Sequence, residues 1–428
     1  MNKQISRAMV ALFTGGIDRH YACAIAKALA SSGIALDVVG NTEMDSCGMR
    51  SPGNVRLLAL YAMPRPGQNL FLKLLSFVAV YFQLIRYAAT SSPRIFHILW
   101  HYKFPYFDRT LLLLYFKFLG KKLVFTAHNV NAAERDGIDS LLNRLSLRIQ
   151  YHLVDHIFVH TEGMRKQLVS SFCVRQEKVT VIPFGVGDMV PQTRLTPAEA
   201  KQRLGLHDSH RVILFFGRIV GYKGLDLLVD AFGRIAPHDR NYRLIIAGEL
   251  RKESAQHWQD IRRAIESSPM REQVVQEIRY IADDEMEIYL KAADVLVLPY
   301  KQIFQSGVLF MSHNFGLPVI ATDVGTFRDD IMEGTNGYLC RPNDPEDLAK
   351  KIEEFFSSNL YRNLDESRAT IQNSVRTGHS WSVVARITSD IYARIAQRLP
   401  LEQDAARAAR LAQVPLSSQS DAAKHHDS

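Results

Sequence analysis

Short apolar runs recur along this chain and alternate with longer stretches of helical periodicity. Ala8–Phe13, Ile34–Val39, Ile95–Trp100, Leu123–Ala127, His156–Thr161 and Val179–Pro183 read as strands of a parallel sheet, which is covered on both faces and so needs apolar residues on both. Between them, Asp18 is placed to cap a helix running toward Ser32 with Gly33 as its stop. Asp108 is placed to cap a leucine-rich helix that stops at Gly120, and Leu141–Leu153 and Glu162–Phe172 are further helices. A second series of the same kind starts at Arg211: strands Val212–Phe216, Arg243–Ala247, Val274–Ile281, Val295–Pro299 and Pro318–Ala321, with helices after Lys223-Gly224, over Asp283–Ala292, over Val308–Phe315 and from Asn343 through Phe356. Trp381–Gln397 closes the pattern as an amphipathic helix.

Between the two series the glycines Gly185 and Gly187 and the prolines Pro191 and Pro197 break the periodicity. The pattern therefore predicts an α/β fold of two Rossmann-like domains facing each other across a cleft. Residues 1–185 form the first domain, 186–205 a linker, 206–380 the second domain, 381–398 a terminal helix and 399–428 a disordered tail, in which His425 and His426 are solvent-exposed rather than metal ligands.

Composition narrows the partners. The 428 residues suffice for two full cores, and 47% hydrophobic with 22% charged residues is the make-up of an ordered chain. A formal charge of +8 and a pI near 9.2 favour an anionic partner: a nucleotide diphosphate or an anionic membrane surface. The basic residues are too scattered for a nucleic-acid binder. Cys23, Cys47, Cys173 and Cys340 form no C-x-x-C pair, so neither a zinc site nor a disulfide framework is expected, and a reducing cytoplasm fits. The N-terminal residues run into a strand without a signal-peptide layout. No apolar stretch is expected to reach the roughly 20 residues that span a bilayer. Asn69–Ala89 is the most apolar region, with Lys73, Ser76, Gln83 and Arg86 on one helical stripe. It reads equally as a helix pressed against the inner membrane surface or as a buried helix with one wet edge.

The chemistry gathers at strand-to-helix junctions. Gln305-Ser306-Gly307 lies between a strand and a helix, where unpaired helix N–H groups carry partial positive charge and Gly307 leaves no Cβ to block an anion. Arg218 and Lys223 flank a second such junction, suited to a diphosphate through a guanidinium fork and a point charge. Thr14-Gly15-Gly16 is a glycine turn at the first junction, but it is not G-x-G-x-x-G, so the dinucleotide fingerprint is absent. His128 stands at the carboxyl end of a strand, where open sheets bind ligands. His97 and His101 lack that placement and read as structural. No D-x-D metal signature is present, and two fixed cations can replace a divalent ion, so neither metal nor cofactor is expected.

Several segments together resemble the retaining glycosyltransferases of family 4, which have the GT-B fold. They are TGGIDRHYACAIAKAL near the start, Val179–Val186, Phe215–Phe232, Ala293–Tyr300, Phe315–Ile331 and Gly337–Ala349. The resemblance covers most of residues 5–398. It implies that Arg218 and Lys223 bind the donor's diphosphate, that Gly16 lies near donor or acceptor, that His128 contacts the donor sugar or acts at the reaction centre, and that Trp381–Gln397 crosses back onto the first domain. One departure stands out. Many relatives carry two glutamates separated by seven residues, and those positions here are Ile303 and Met311. The loop reads QSG, which resembles a subgroup.

The resemblance implies a cytoplasmic enzyme, at the inner face of the plasma membrane if Asn69–Ala89 docks there. It would move a sugar from a nucleotide diphosphate sugar to a glycan or lipid-linked acceptor, in the making of a bacterial surface polysaccharide. Two rivals remain at this level. One is a non-catalytic membrane-associated scaffold, prompted by the missing glutamates. The other is a nicotinamide-dependent oxidoreductase, disfavoured by the missing fingerprint.

Overall fold

The structure, a computed structural model, describes residues 9–47, 53–61, 69–135, 137–187, 190 and 192–397. The tail expected from residue 399, and the last residue of the terminal helix, lie outside the described residues. The strand runs assemble into two sheets whose pairings are all parallel. The first has seven strands: β1 (Met9–Phe13), β2 (Ala35–Gly40), β3 (Val55–Ala59), β4 (Ile95–Ile98), β5 (Lys122–Ala127), β6 (His156–Val159) and β7 (Val179–Val181), in the order β3-β2-β1-β4-β5-β6-β7. The second has six: β8 (Arg211–Phe216), β9 (Tyr242–Ala247), β10 (Val274–Glu277), β11 (Val295–Leu298), β12 (Val319–Thr322) and β13 (Gly337–Cys340), in the order β10-β9-β8-β11-β12-β13. In both, the order reverses beside the first strand of the series. The switch points are β1/β4 and β8/β11, and a crevice opens at the carboxyl ends of such a pair.

The helices that matter below are α1 (Arg19–Ser31), α2 (Leu70–Thr90), α3 (Leu113–Phe118), α4 (Leu141–Leu153), α5 (Glu162–Phe172), α6 (Leu225–Ile235), α7 (Asp283–Ala292), α8 (Gly307–Asn314) and α9 (Trp381–Gln397). They cover both faces of each sheet, giving four main apolar clusters. Asp18 caps α1 by accepting from the Tyr21 amide, and Gly33 follows at φ +83°, a conformation glycine adopts without strain. The final helix α9 buries Val384, Ile387, Ile391 and Tyr392 in the same cluster as Val10, Leu12 and α1, so it does cross onto the first domain. The Tyr392 hydroxyl and the Nδ1 of buried His97 are 2.5 Å apart, and Thr126 meets the other ring nitrogen at 2.7 Å. This gives His97 the structural role its position implies. His101 likewise meets Gln150 at 3.1 Å.

The two connections between the domains run side by side. The Val186 amide donates to the His379 carbonyl at 2.6 Å. A Cβ on Gly185 would stand 2.5 Å from the Trp381 ring. The stretch 186–205 carries a helix of its own, Pro197–Arg203. Thr196 accepts from the Glu199 amide, and the Glu199 carboxylate accepts in turn from Thr196, a capping box that the glycine and proline count had masked.

Three expectations need correction. Asp108 does not start the leucine-rich helix. Pro105 does, because its fixed φ suits the first helical position, and Asp108 sits one turn in, buried, accepting from the Tyr102 amide at 3.1 Å. Residues Phe71–Thr90 of α2 are, by length and composition, sufficient to cross a membrane, because the interrupting polar residues are too few to offset the apolar ones. Cys23 is disulfide-bonded, whereas Cys173 and Cys340 are free. Spacing along the chain does not reveal which thiols the fold brings together.

Candidate functional site

At the β8/β11 switch point, the turns after both strands lock together. The Lys301 amide donates to the Tyr222 carbonyl at 2.7 Å. A Cβ on Gly224, at φ +66°, would stand 2.0 Å from the Pro299 carbonyl oxygen. Only glycine permits that approach, and it sets Lys223 at the start of α6 against the loop that leads to α8.

Lys223 is 8% exposed, and its ammonium lies 5.5 Å over the Tyr300 ring. Among the described residues no carboxylate pairs with it. Asp226, three positions on, is taken by Lys301 at 2.7 Å. Burial lowers the Lys223 pKa to about 8, with nearby Tyr222 opposing the shift and Arg218 adding to it. Arg218 is exposed on the same turn and has no carboxylate partner among the described residues. A buried cation held without a counter-charge destabilises the empty protein, and a bound anion relieves that cost.

The start of α8 is within reach of this charge. A Cβ on Gly217 would stand 2.8 Å from the Lys223 ammonium and 3.8 Å from the Val308 side chain. Ser306 occupies the cap position of α8 and is 5% exposed, yet its side chain makes no capping bond, so the first helix N–H groups stay open. Beside them, Gln305 Oε1 and the Tyr300 hydroxyl are buried with no hydrogen-bond partner of acceptable geometry. Tyr300 lies next to the Ser306 side chain. Buried polar atoms are rarely left unpaired. Two of them beside an uncapped helix start and an uncompensated lysine describe a seat for a polar anion. Arg218, Lys223, Gln305, Ser306 and Gly307 are thus gathered at one switch point.

Across the cleft, both glycines of the turn hold left-handed backbone (φ +62° and +70°), and Gly15 is the one crowded by its neighbours. A Cβ on Gly15 would stand 2.7 Å from the Trp100 and His101 backbone, whereas Gly16 is exposed and open. His128 follows β5. Its ring stacks on Trp100 (4.1 Å, 4°) and meets the edge of Tyr21 (4.6 Å), its Nδ1 is 3.1 Å from His160 Nε2, and its own Nε2 is buried without a partner. Burial, and then the neighbouring His160, holds the His128 pKa well below its ordinary value, so the imidazole is neutral. His160 packs on Phe184, and Phe184 stacks on Phe310 of α8 (5.6 Å, 13°). Phe184 also lies 3.2 Å from where a Gly307 Cβ would be. His128 therefore reaches the start of α8 through two aromatic side chains rather than directly.

The two ligand edges meet at one rim. Arg19 of α1 donates to Asp283 of α7 at 2.6 Å, and His20 lies 3.0 Å from the same carboxylate. Sequence reasoning did not find Tyr300, Phe184, His160 or this pair. Tyr300 alone carried a signal, since it follows β11 at the edge where ligands bind. Ile303 and Met311, which replace the two glutamates, pack against the apolar cluster of the second domain. Among the described residues no group of three or more His, Cys, Asp or Glu side chains could hold a metal ion.

Two parallel α/β domains with a terminal helix crossing back onto the first have the GT-B fold. Residues 14–188 match the model of Glycosyltransferase Family 4, and residues 210–358 match that of Glycosyl transferases group 1. Each of the two domains thus matches a glycosyltransferase family model, and the two matches are consecutive along the chain. The chain is 26% identical over 287 residues to a D-inositol 3-phosphate glycosyltransferase of Streptosporangium roseum, a match that covers 64% of each chain. It is 25% identical over 252 residues to a mannosylfructose-phosphate synthase of Agrobacterium fabrum, covering 56% of this chain and 54% of that one. The matches thus span less than two thirds of these relatives' lengths. Among solved structures, the sucrose-phosphate synthase of Thermosynechococcus elongatus superposes with a TM-score of 0.71 at 18% identity, covering 92% of this chain and 100% of that one. Anabaena HepE in complex with UDP and glucose gives 0.71 at 14%, covering 90% and 99%. At these identities the likeness concerns the fold.

Proposed function

We propose that the protein transfers a sugar from a nucleotide diphosphate sugar to a hydroxyl of a glycan or lipid-linked acceptor, with retention of anomeric configuration and without a metal. A bacterial surface polysaccharide is the product class we favour. The observation that carries this reading is the buried, uncompensated Lys223 beside the uncapped start of α8. It is supported by the UDP and UDP-glucose complexes of the structural neighbour HepE.

In the reaction, the bond between the anomeric carbon and the diphosphate oxygen breaks. The acceptor oxygen bonds to that carbon on the same face, and the acceptor proton passes to the departing phosphate. Negative charge grows on the diphosphate as it leaves. Lys223, Arg218 and the Ser306-Gly307 amides stand ready to stabilise it without reorganising, which is the main catalytic contribution these residues can make. Neutral His128, with Gly16 across the cleft, borders the sugar or the acceptor. Its unpartnered Nε2 is the atom that would bond a hydroxyl.

Arg218→Ala and Lys223→Ala should each reduce turnover by about two orders of magnitude or more. Thermal shift with UDP, GDP and ADP, then with their sugars, identifies the donor, since a ligand of the native state raises the melting temperature. Near wild-type turnover in both variants would refute the assignment. Peripheral contact with the inner membrane surface belongs to this reading and is developed next.

A further inference from the structure

We propose that the outer face of α2, the helical stretch 105–118 and the first turns of α4 form a single docking surface for an anionic lipid bilayer. This rests on, and makes specific, the lipid-linked acceptor proposed above.

The surface is continuous because its helices pack side by side. Tyr81 of α2 stacks on Phe104 (5.6 Å), and Tyr115 of α3 donates to the Ile85 carbonyl of α2 at 3.3 Å. Arg109 donates to Asn143 of α4 at 2.8 Å. Among the described residues, sixteen of the twenty exposed large apolar side chains lie between positions 71 and 145. Phe71 (64% exposed), Leu75 and Phe82 follow one stripe of α2, Leu111 and Phe118 continue it, and Leu141 (88%) extends it onto α4. Exposed apolar surface on that scale marks an interaction site.

Charge names the occupant. From residue 46 to residue 145, through the first turns of α4, the chain has thirteen Lys and Arg and four acids, of which Asp108 is buried. That stretch carries a net +9, thirteen cations less four acids, against +8 for the whole chain, with Arg56 paired to Asp37 and Lys117 and Lys122 to Asp155. Lys73 and Arg86 share α2 with the exposed apolar side chains, and the Lys103 ammonium lies 5.5 Å over the Phe77 ring, a mixture that matches an anionic interface, where chains insert and cations meet headgroups. A protein partner would need acidic residues arranged to match this one face, whereas an anionic bilayer offers that charge everywhere.

The helix lies on the bilayer and does not cross it. Its inner face packs Val80, Tyr81, Leu84 and Ala88 into the domain core. The first turns of α2 and α4 follow the carboxyl ends of β3 and β5, so the surface rims the ligand edge and brings the cleft mouth to the membrane. An acceptor anchored in that membrane would then present its hydroxyl at the cleft.

Flotation of the full chain with vesicles tests this. The expected result is capture by phosphatidylglycerol-containing vesicles, at least about tenfold weaker on pure phosphatidylcholine and released by high salt. Phe71→Ser with Leu75→Ser and Phe82→Ser should lower capture at least about tenfold, as should Lys73→Gln with Arg86→Gln and Lys103→Gln. Both sets should leave nucleotide thermal shifts intact. Equal capture by both lipids, capture unchanged in the variants, retention at high salt as for a spanning helix, or a dimer in scattering that the serine variants dissociate would each overturn it. Capture without any nucleotide shift would instead refute the proposed function and leave the surface standing.

Discussion

Lys223 shows how one side chain can be set for binding at the expense of stability. Its pKa of about 8, against an ordinary 10.5, means that the unfolded chain binds the proton more tightly than the folded one between these values. Stability from this group therefore rises as pH increases from about 8 toward 10.5, and at neutral pH the charged lysine opposes folding. Lys223→Met should accordingly stabilise the empty protein at pH 7 by on the order of 2 kcal/mol while abolishing the thermal shift with nucleotide diphosphates. Calorimetric melting of both proteins over pH 6–10 checks the sign. In the wild type, nucleotide affinity should fall as pH rises through 8 to 9, because an amine without its proton attracts no phosphate. Titration calorimetry at several pH values measures it, and a flat profile would show that Lys223 does not face the anion.

At the scale of elements, the crossing of the two interdomain connections governs how the second sheet sits over the first. Gly185 and Gly187 make room for the Trp381 ring at the start of α9. Gly185→Ala would place a methyl 2.5 Å from a ring wedged between Tyr21 and the connection, which cannot retreat without moving α9. The expected cost is about 1–3 kcal/mol, seen as a lower melting temperature, with turnover falling further than stability alone predicts because α9 and α1 support the glycine turn. A variant with wild-type melting and turnover would show that the crossing tolerates displacement.

At the scale of the whole molecule, Arg19 and His20 on Asp283 hold the cleft together at one rim. The pair is partly exposed, so its removal should change stability by less than about 1 kcal/mol. Its effect should appear in shape instead: Arg19→Ala should enlarge the radius of gyration of the empty protein in solution scattering and raise KM for the donor, with kcat less affected. An unchanged scattering profile would assign the pair no part in closure.

Local pattern determined much of this protein. The parallel strands, most of the helices and the junctions bearing Arg218, Lys223 and Gln305-Ser306-Gly307 were legible, because burial on both faces demands apolar runs and a helix start demands particular residues. The strands β3 and β13 were not: β3 is a half-exposed edge that loses that apolar signature, and β13 is a buried edge of only four residues. Nor was the helix Pro197–Arg203, which lies in a stretch dense in glycine and proline. Only the tertiary structure decided what surrounds each candidate: Tyr300 under Lys223, Trp100 and His160 around His128, Phe184 against Gly307, and Arg19 on Asp283. These contacts join residues far apart in the chain, and their energies depend on distance and burial, which exist only once the two sheets have closed on each other.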